Sequence, residues 1–449
     1  MNIAPASRIE PSPDARAATP GDATDTALAA LVGRYVERTP ASRRQYEAAQ
    51  QSLPGGNTRS VLFYAPYPLT MQRGHGSHLW DADGHELVDF LGEFTAGLYG
   101  HSHPVIRAAI DQALDGGINL SGHNLLESRL AALICARIAS IDSLRFTNSG
   151  TEANLMALAA AKAHTGRSKV MVFAGGYHGG VLTFVNGPAR VNVPHDYVLA
   201  PYNDAVAAQR LFDAHGADLA AVLVEPMQGS GGCIVGDAAF LGLLRERSAA
   251  AGALLIFDEV MTSRLAPGGR QAQLGITPDL TTLGKYIGGG MSFGAFGGRH
   301  DVMAQFDPRR PDALSHAGTF NNNVLSMSAG IAGLGSVYTP AAAQALNQRG
   351  DAMREALNRL CGEHGVGLQF TGLGSLMNLQ PTRAPIRNVA DLQHTDARLR
   401  DLFFFHMAER GFYVARRGFI VLSLPLTDAD VEGFVAAFRD FIAAYRHVL

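Results

Sequence analysis

Between residues 143 and 298 the chain repeats one pattern, a short and nearly uninterrupted apolar run followed by a longer stretch with helical character. The runs are LRFTN (residues 144–148), KVMVF (169–173), LAAVLVEP (219–226), ALLIFDEV (253–260) and GAFGG (294–298). A helix is expected from Thr151 after the first and from Ala238 after the third. Strands that are apolar on both faces must be covered on both faces, and intervening helices supply that cover. The pattern therefore predicts an α/β fold with a mostly parallel central sheet. In such folds ligands gather outside the carboxyl ends of the strands, so the residues that follow each run are the first candidates for function.

The flanking regions read differently. Residues 1–25 are rich in Pro, Ala and Asp without apolar periodicity, which predicts a disordered leader. Leu28, Leu31, Val32 and Tyr35 then recur at helical spacing, Pro40 closes that segment, and a second polar helix is expected over residues 43–51. Residues 26–75 are read as an N-terminal segment joining a small domain and 76–330 as the large domain. Beyond about residue 330 an Ala/Leu-rich helical stretch precedes the strand-like GLQFTG and SLMNLQ and further helices. Residues 331–449 are thus expected to form the smaller α+β domain. No internal repeat is visible.

Bulk composition removes several function classes. With 449 residues and 47% hydrophobic content the chain can bury a large core. Lys and Arg total 37 against 40 Asp and Glu, so no basic surplus is available to neutralise a nucleic-acid backbone. Cys135, Cys233 and Cys361 show no metal-ligand or disulfide spacing, and no metal is expected. No apolar core of a signal peptide and no uninterrupted membrane span is visible, so a soluble cytoplasmic protein is expected.

Three strand-end segments carry chemistry. SGTEAN (residues 149–154) follows the first run and opens an Ala-rich helix, where free backbone N–H groups suit a phosphate; an ordinary N-cap explains the segment equally well. Asp258 and Glu259 end the run ALLIFDEV, where a carboxylate needs a cationic or hydrogen-bonding partner. A protonated pyridine nitrogen is one such partner, and capping the next helix is the alternative. Lys285 stands among apolar residues and glycines in TTLGKYIGGGMSFGAFGG, where desolvation favours a neutral, nucleophilic amine over a snorkelling surface lysine.

Taken in order, TNSGTEAN, GGYHG, VEPMQG, FDEVMTSR, LGKYIGGG and HAGTFNNN resemble the landmarks of the class III aminotransferases, in the fold-type I family of pyridoxal-phosphate enzymes. The resemblance is close over residues 147–323. It implies a fold-type I architecture, pyridoxal 5'-phosphate as cofactor, and a homodimer with shared active sites. It also implies that Lys285 bonds the cofactor and that Asp258 faces the pyridine nitrogen. Ser149, Gly150 and Thr151 are expected at the phosphate, Tyr177 and Val260 on the two ring faces, Glu225 near the ring edge and Gln228 at the phenolic oxygen. Thr319 is expected to reach the neighbouring subunit's phosphate. His178 is read as a structural histidine.

An aminotransferase runs two half-reactions in one pocket, the amino donor first and a 2-oxo acid second, and each acid needs a cation. Arg59, in PGGNTRSVLFYAPYPL before an aromatic, strand-like segment, and Arg417, in YVARRGFIVLS, are the candidates. TRSVLFYAPYPL and RRGFIVLSLPLTDAD are similar to segments of the β-phenylalanine aminotransferases. That likeness implies an aromatic β-amino acid donor and 2-oxoglutarate or pyruvate as acceptor. It also implies that Arg59 holds the substrate carboxylate and that Arg417 swings to admit an aromatic side chain or a distal carboxylate. Arg416 stands where that subgroup carries proline, and Arg417 is preferred by its spacing to Gly418 and Phe419. Phe63 and Tyr64, with Glu93, Phe94 and Thr95, are expected to line the aromatic side of the pocket. The alternatives are glutamate-1-semialdehyde aminomutase, another ω-amino acid aminotransferase, and a non-catalytic protein on this fold. Asn321, Asn322 and Asn323, without the aminomutase's Gly-Asn-Pro, favour the β-amino acid reading.

Overall fold

The computed structural model describes residues 22–449. Residues 1–21, most of the expected leader, lie outside the described residues. The last four leader positions depart from that expectation, because Asp22 accepts the Asp25 N–H at 3.0 Å and caps the helix Ala23–Arg38. An aspartate ahead of a helical run is a start signal, and it extends the helix upstream of its first apolar residue. Pro40 opens the following helix, Pro40–Ala49, as well as closing the one before it.

The centre of the molecule is a seven-stranded sheet. Its strands are β1 (Ser143–Thr147), β2 (Lys169–Phe173), β3 (Asp196–Ala200), β4 (Leu219–Val224), β5 (Leu254–Asp258), β6 (Leu280–Gly284) and β7 (Gly294–Gly298). They lie in the order β1-β7-β6-β5-β4-β2-β3. Strands β3, β2, β4, β5 and β6 run parallel, and β7 is antiparallel to both β6 and β1. The apolar runs do not single out β3 or β6. β3 is an edge strand with only two of its five residues buried, and β6 reads as part of the glycine-rich lysine segment.

Because side chains alternate across a strand, the continuous apolar runs feed two cores. Val170, Val172, Leu254 and Ile256 face the helix Gly150–Thr165 through Ala153, Ala157, Ala160 and Ala161. Met171, Phe173, Leu255 and Phe257 face Phe212, Phe240, Leu241 and Leu244 of the helices Ala205–His215 and Ala238–Ala251. The alanine stripe lets the first helix approach the sheet closely, and a larger residue there would overpack the core at about 1–3 kcal/mol.

The smaller part combines both ends of the chain. Helix Ala23–Arg38 packs on helix Arg398–Glu409. The strand Glu86–Asp89 pairs in parallel with Phe412–Tyr413, so pairing with the C-terminal segment continues past the boundary expected near residue 75. The strands Gln369–Leu373, Leu376–Gln380 and Phe419–Val421 form an antiparallel sheet beside the long helix Pro340–His364. One further expectation fails locally. The aromatic segment after Arg59 forms no strand but a 3-10 turn, Ser60–Leu62, and then extended chain, since Pro66 and Pro68 remove donors a ladder would need. No helix among the described residues is long and apolar enough to cross a membrane.

Candidate active site

The carboxyl ends of β1, β2, β4, β5 and β6 bring Ser149, Tyr177, Glu225, Asp258 and Lys285 to one edge of the sheet. Val260 joins two of these turns. A Cβ built on Gly150 would lie 2.9 Å from its side chain, and one built on Gly284 would lie 3.1 Å away. Only glycine lets the helix N-terminus and the lysine turn close on the same valine.

Asp258 is buried, and three donors hold its carboxylate. Oδ1 accepts the Val260 N–H at 3.0 Å; Oδ2 accepts from the Asn154 side-chain amide at 2.9 Å and pairs with His178 Nδ1 at 2.8 Å. Asn154 is itself oriented by the Thr282 hydroxyl, which donates to its Oδ1 at 2.8 Å. His178 Nε2 is buried without a partner, which fits a ring that spends its proton on Asp258. Neither Asn154 nor His178 was singled out as functional from the sequence. The available signal was position alone: Asn154 lies one helical turn beyond Gly150, and His178 follows Tyr177. Glu259 has the capping role that was the alternative for the pair, accepting from the N–H groups of Arg270 at 2.7 Å and Gln271 at 2.9 Å.

Lys285 opens a 3-10 turn with φ of 55°, a left-handed conformation uncommon outside glycine and a mark of backbone held under constraint. Burial lowers its pKa to about 8, against the opposing attraction of Asp258 and Glu225. Among the described carboxylates none forms an ion pair with its amine. Glu225 accepts the Tyr177 N–H at 2.9 Å and the Gly229 N–H at 3.0 Å, and its burial raises its carboxyl to about 7. Gln228 donates to the Ala174 carbonyl at 2.8 Å, leaving its Oε1 buried and unpartnered. Tyr177 leaves 45% of its surface exposed. Ser149 caps the helix by accepting the Glu152 N–H at 3.1 Å, and helix geometry leaves the N–H groups of Gly150 and Thr151 without intrahelical acceptors.

These features fit pyridoxal phosphate. An exposed tyrosine face and a valine offer apolar surfaces for a flat ring, a buried carboxylate held by three donors keeps acceptor capacity for a ring cation, and free amides with the positive end of a helix suit a phosphate. A desolvated lysine supplies the amine that bonds an aldehyde.

Arg59 and Arg417 both approach one ring. The Arg59 guanidinium lies 5.9 Å and that of Arg417 5.2 Å from the centre of Phe94, which stacks on Phe419. Arg59 is half-exposed and ion-paired with Glu93. Glu93, Phe94 and Thr95 all have positive φ, so the wall between the arginines is a constrained turn. Arg416 is bound by Asp401 through two 2.6 Å contacts, whereas Arg417 reaches Ser230 at 3.3 Å and leaves its Nε buried and unpartnered. The geometry thus separates the two neighbouring arginines as the glycine spacing suggests.

Three expected residues lie away from this wall. Tyr64 is 3% exposed and packs in the aromatic core, 4.7 Å from Phe404, with its hydroxyl accepting the Leu69 N–H, so it does not line the pocket. With no strand to alternate its side chains, the segment turns this ring inward. Phe63 is half-exposed against Tyr46. Thr319 is exposed beside Phe320, in a loop tied to the helix-opening turn by the Asn148–Asn321 hydrogen bond at 3.0 Å.

Known proteins are similar to this chain over most of its length. The chain is 59% identical to the β-phenylalanine transaminase of Variovorax paradoxus, over 95% of this chain and 98% of that protein. A solved β-phenylalanine aminotransferase structure from the same organism superposes with a TM-score of 0.94, covering 95% of this chain and 99% of that one. The glutamate-1-semialdehyde 2,1-aminomutase of Sorangium cellulosum is 37% identical over 91% of this chain and 97% of that enzyme. The family described as aminotransferase class III matches residues 63–440. Strand-end aspartate, constrained lysine and helix-opening turn therefore sit in a chain that belongs to the class III aminotransferases.

Proposed function

We propose that the protein moves the amino group of an aromatic β-amino acid of the β-phenylalanine type to a 2-oxo acid such as 2-oxoglutarate or pyruvate, by a ping-pong mechanism. The observation that carries the substrate class is the wall in which Arg59 and Arg417 flank Phe94. It offers a cation for each carboxylate and an aromatic surface for an aryl group. The higher identity to the β-phenylalanine transaminase than to the aminomutase supports the same choice.

As a class III aminotransferase the chain uses pyridoxal phosphate, which when bound withdraws electrons from the substrate carbon that loses its proton. Asp258 keeps the ring nitrogen charged, and the Asn154–His178 contacts keep Asp258 in place. Lys285 would hold the cofactor through its desolvated amine and, once freed by the donor's amine, would serve as the base that moves the proton. Tyr177 and Val260 would hold the ring faces, Gln228 and Glu225 its edge, and Ser149, Gly150 and Thr151 the phosphate. Arg59 receives the donor's carboxylate by giving up Glu93.

A homodimer with shared sites belongs to the same proposal. Thr319 and Phe320 line one concave surface with Ile118 and Leu120, and these three apolar side chains are each 46% or more exposed. Such a patch suits a second copy of the chain, with Thr319 turned to the partner's phosphate. A cytoplasmic setting is supported by the three unpaired cysteines.

The test is the visible spectrum of the pyridoxal-phosphate-loaded protein. Racemic β-phenylalanine should bleach the band of the lysine-bound cofactor, and 2-oxoglutarate or pyruvate should restore it. A band that ignores this donor yet responds to glutamate-1-semialdehyde would overturn the substrate assignment.

A further inference from the structure

Arg417 borders two spaces. One of its flanks faces Phe94 and the substrate wall; the other closes a chamber between the domains that is also lined by Arg400, Ser230, Asn378, Gln380 and Gln393. None of the residues lining that chamber is acidic. Arg400 donates to the Leu379 carbonyl at 3.3 Å and to Gln380 Oε1 at 2.9 Å, and forms no ion pair with a described carboxylate. The nearby Asp401 is occupied by Arg416. Burial pulls both guanidinium groups below arginine's ordinary value, yet neither can shed its proton at physiological pH.

Two partly desolvated cations facing one space repel each other, and each is met there by neutral hydrogen-bond partners rather than by an ion pair. Amide and hydroxyl side chains complete a lining suited to an oxyanion, and an apolar aryl group gains nothing from it. We propose that this chamber is the acceptor-carboxylate subsite and that Arg400 is its second cation, sharing with Arg417 the distal carboxylate of a dicarboxylic 2-oxo acid. This inference rests on the aminotransferase reading above. It assigns acceptor choice to a residue on the helix Arg398–Glu409, outside the segment that carries Arg417.

Acceptor competition tests it. In the pyridoxal-phosphate-loaded enzyme, Arg400→Gln should lower the ratio of kcat/KM for 2-oxoglutarate to that for pyruvate by about tenfold or more, the weight of one charge-assisted hydrogen bond. The change should fall mainly on KM. Arg400→Lys, which keeps a cation and a donor for the Leu379 carbonyl, should recover part of the ratio and guards against a glutamine variant that fails to fold. Inhibition by glutarate relative to butyrate should weaken in parallel. An equal loss for both acceptors, or an unchanged ratio, overturns the proposal. Failure of β-phenylalanine to bleach the wild-type cofactor band would instead strike the substrate reading on which it rests.

Discussion

The two walls of the site are built on opposite principles. On the sheet side Asp258 accepts from three donors, and one of them, Asn154, is fixed by a further bond to Thr282. On the substrate side Arg59 has one exposed carboxylate partner, Arg417 has one long contact to a serine, and both lie over a ring. Saturated buried hydrogen bonds are costly to rearrange, whereas cation–ring contacts and exposed ion pairs exchange at little cost. The cofactor meets one task and needs a rigid frame; the pocket must accept two different acids in turn and needs a wall that adjusts.

That contrast predicts that variants of the sheet side act on kcat and variants of the substrate wall on KM. The largest effect is expected at Lys285: Lys285→Ala should cost at least about 10⁴-fold in turnover, from lost proton transfer together with lost covalent bonding. Retained transamination by a folded variant would remove the lysine from its role. Arg417→Ala should raise KM for 2-oxoglutarate about 10–100-fold, as expected for a lost charge-assisted hydrogen bond, with kcat changed far less. Equal effects on kcat and KM would break the division between the walls.

The pH dependence of cofactor capture sharpens the rigid side. Only the neutral amine attacks an aldehyde, and burial lowers the Lys285 pKa to about 8. Capture of pyridoxal phosphate by the apoprotein should therefore rise about tenfold per pH unit below that value and level off above it. Stopped-flow absorbance would reveal instead a rise continuing towards pH 10 if the amine were not desolvated. His178→Phe should lower kcat by about threefold to tenfold, since it removes one donor of several, and leave KM for both acids nearly unchanged. Its effect should also appear in the pH profile of the bound cofactor's spectrum, which a purely structural histidine would not move. The smallest effect is expected for Ser149→Ala, about 1 kcal/mol of stability from the lost helix cap, measured by denaturant unfolding.

Legibility in the sequence divided along the same line. The sheet side could be read because strand, turn and helix follow each other locally: an apolar run ends in Asp258, a capped helix starts at Ser149, and glycines bracket Lys285. What holds Asp258 could not, since Asn154 and His178 come from two other segments and look there like helix filler and a core histidine. The substrate wall was half legible. Arg59, Phe94 and Arg417 lie in three distant segments, and their residue types suggested a pocket without its geometry. Tyr64, which the likeness implies at the pocket, packs against Phe404 in the core, because nothing local in an aromatic run separates a pocket ring from a core ring. The choice between Arg416 and Arg417 followed from glycine spacing, but its physical reason, the claim of Asp401 on Arg416, is a contact made across fifteen residues.

The order and chemistry of the strand-end residues were determined by the sequence alone, because local periodicity dictates which residues end a buried strand and burial dictates what such residues must do. Partnership was decided only in the tertiary structure. Whether an arginine is tied to a carboxylate, laid on a ring or turned to a chamber depends on which separate segments the fold brings beside it, and long polar side chains carry no periodic signal of the partner they will meet.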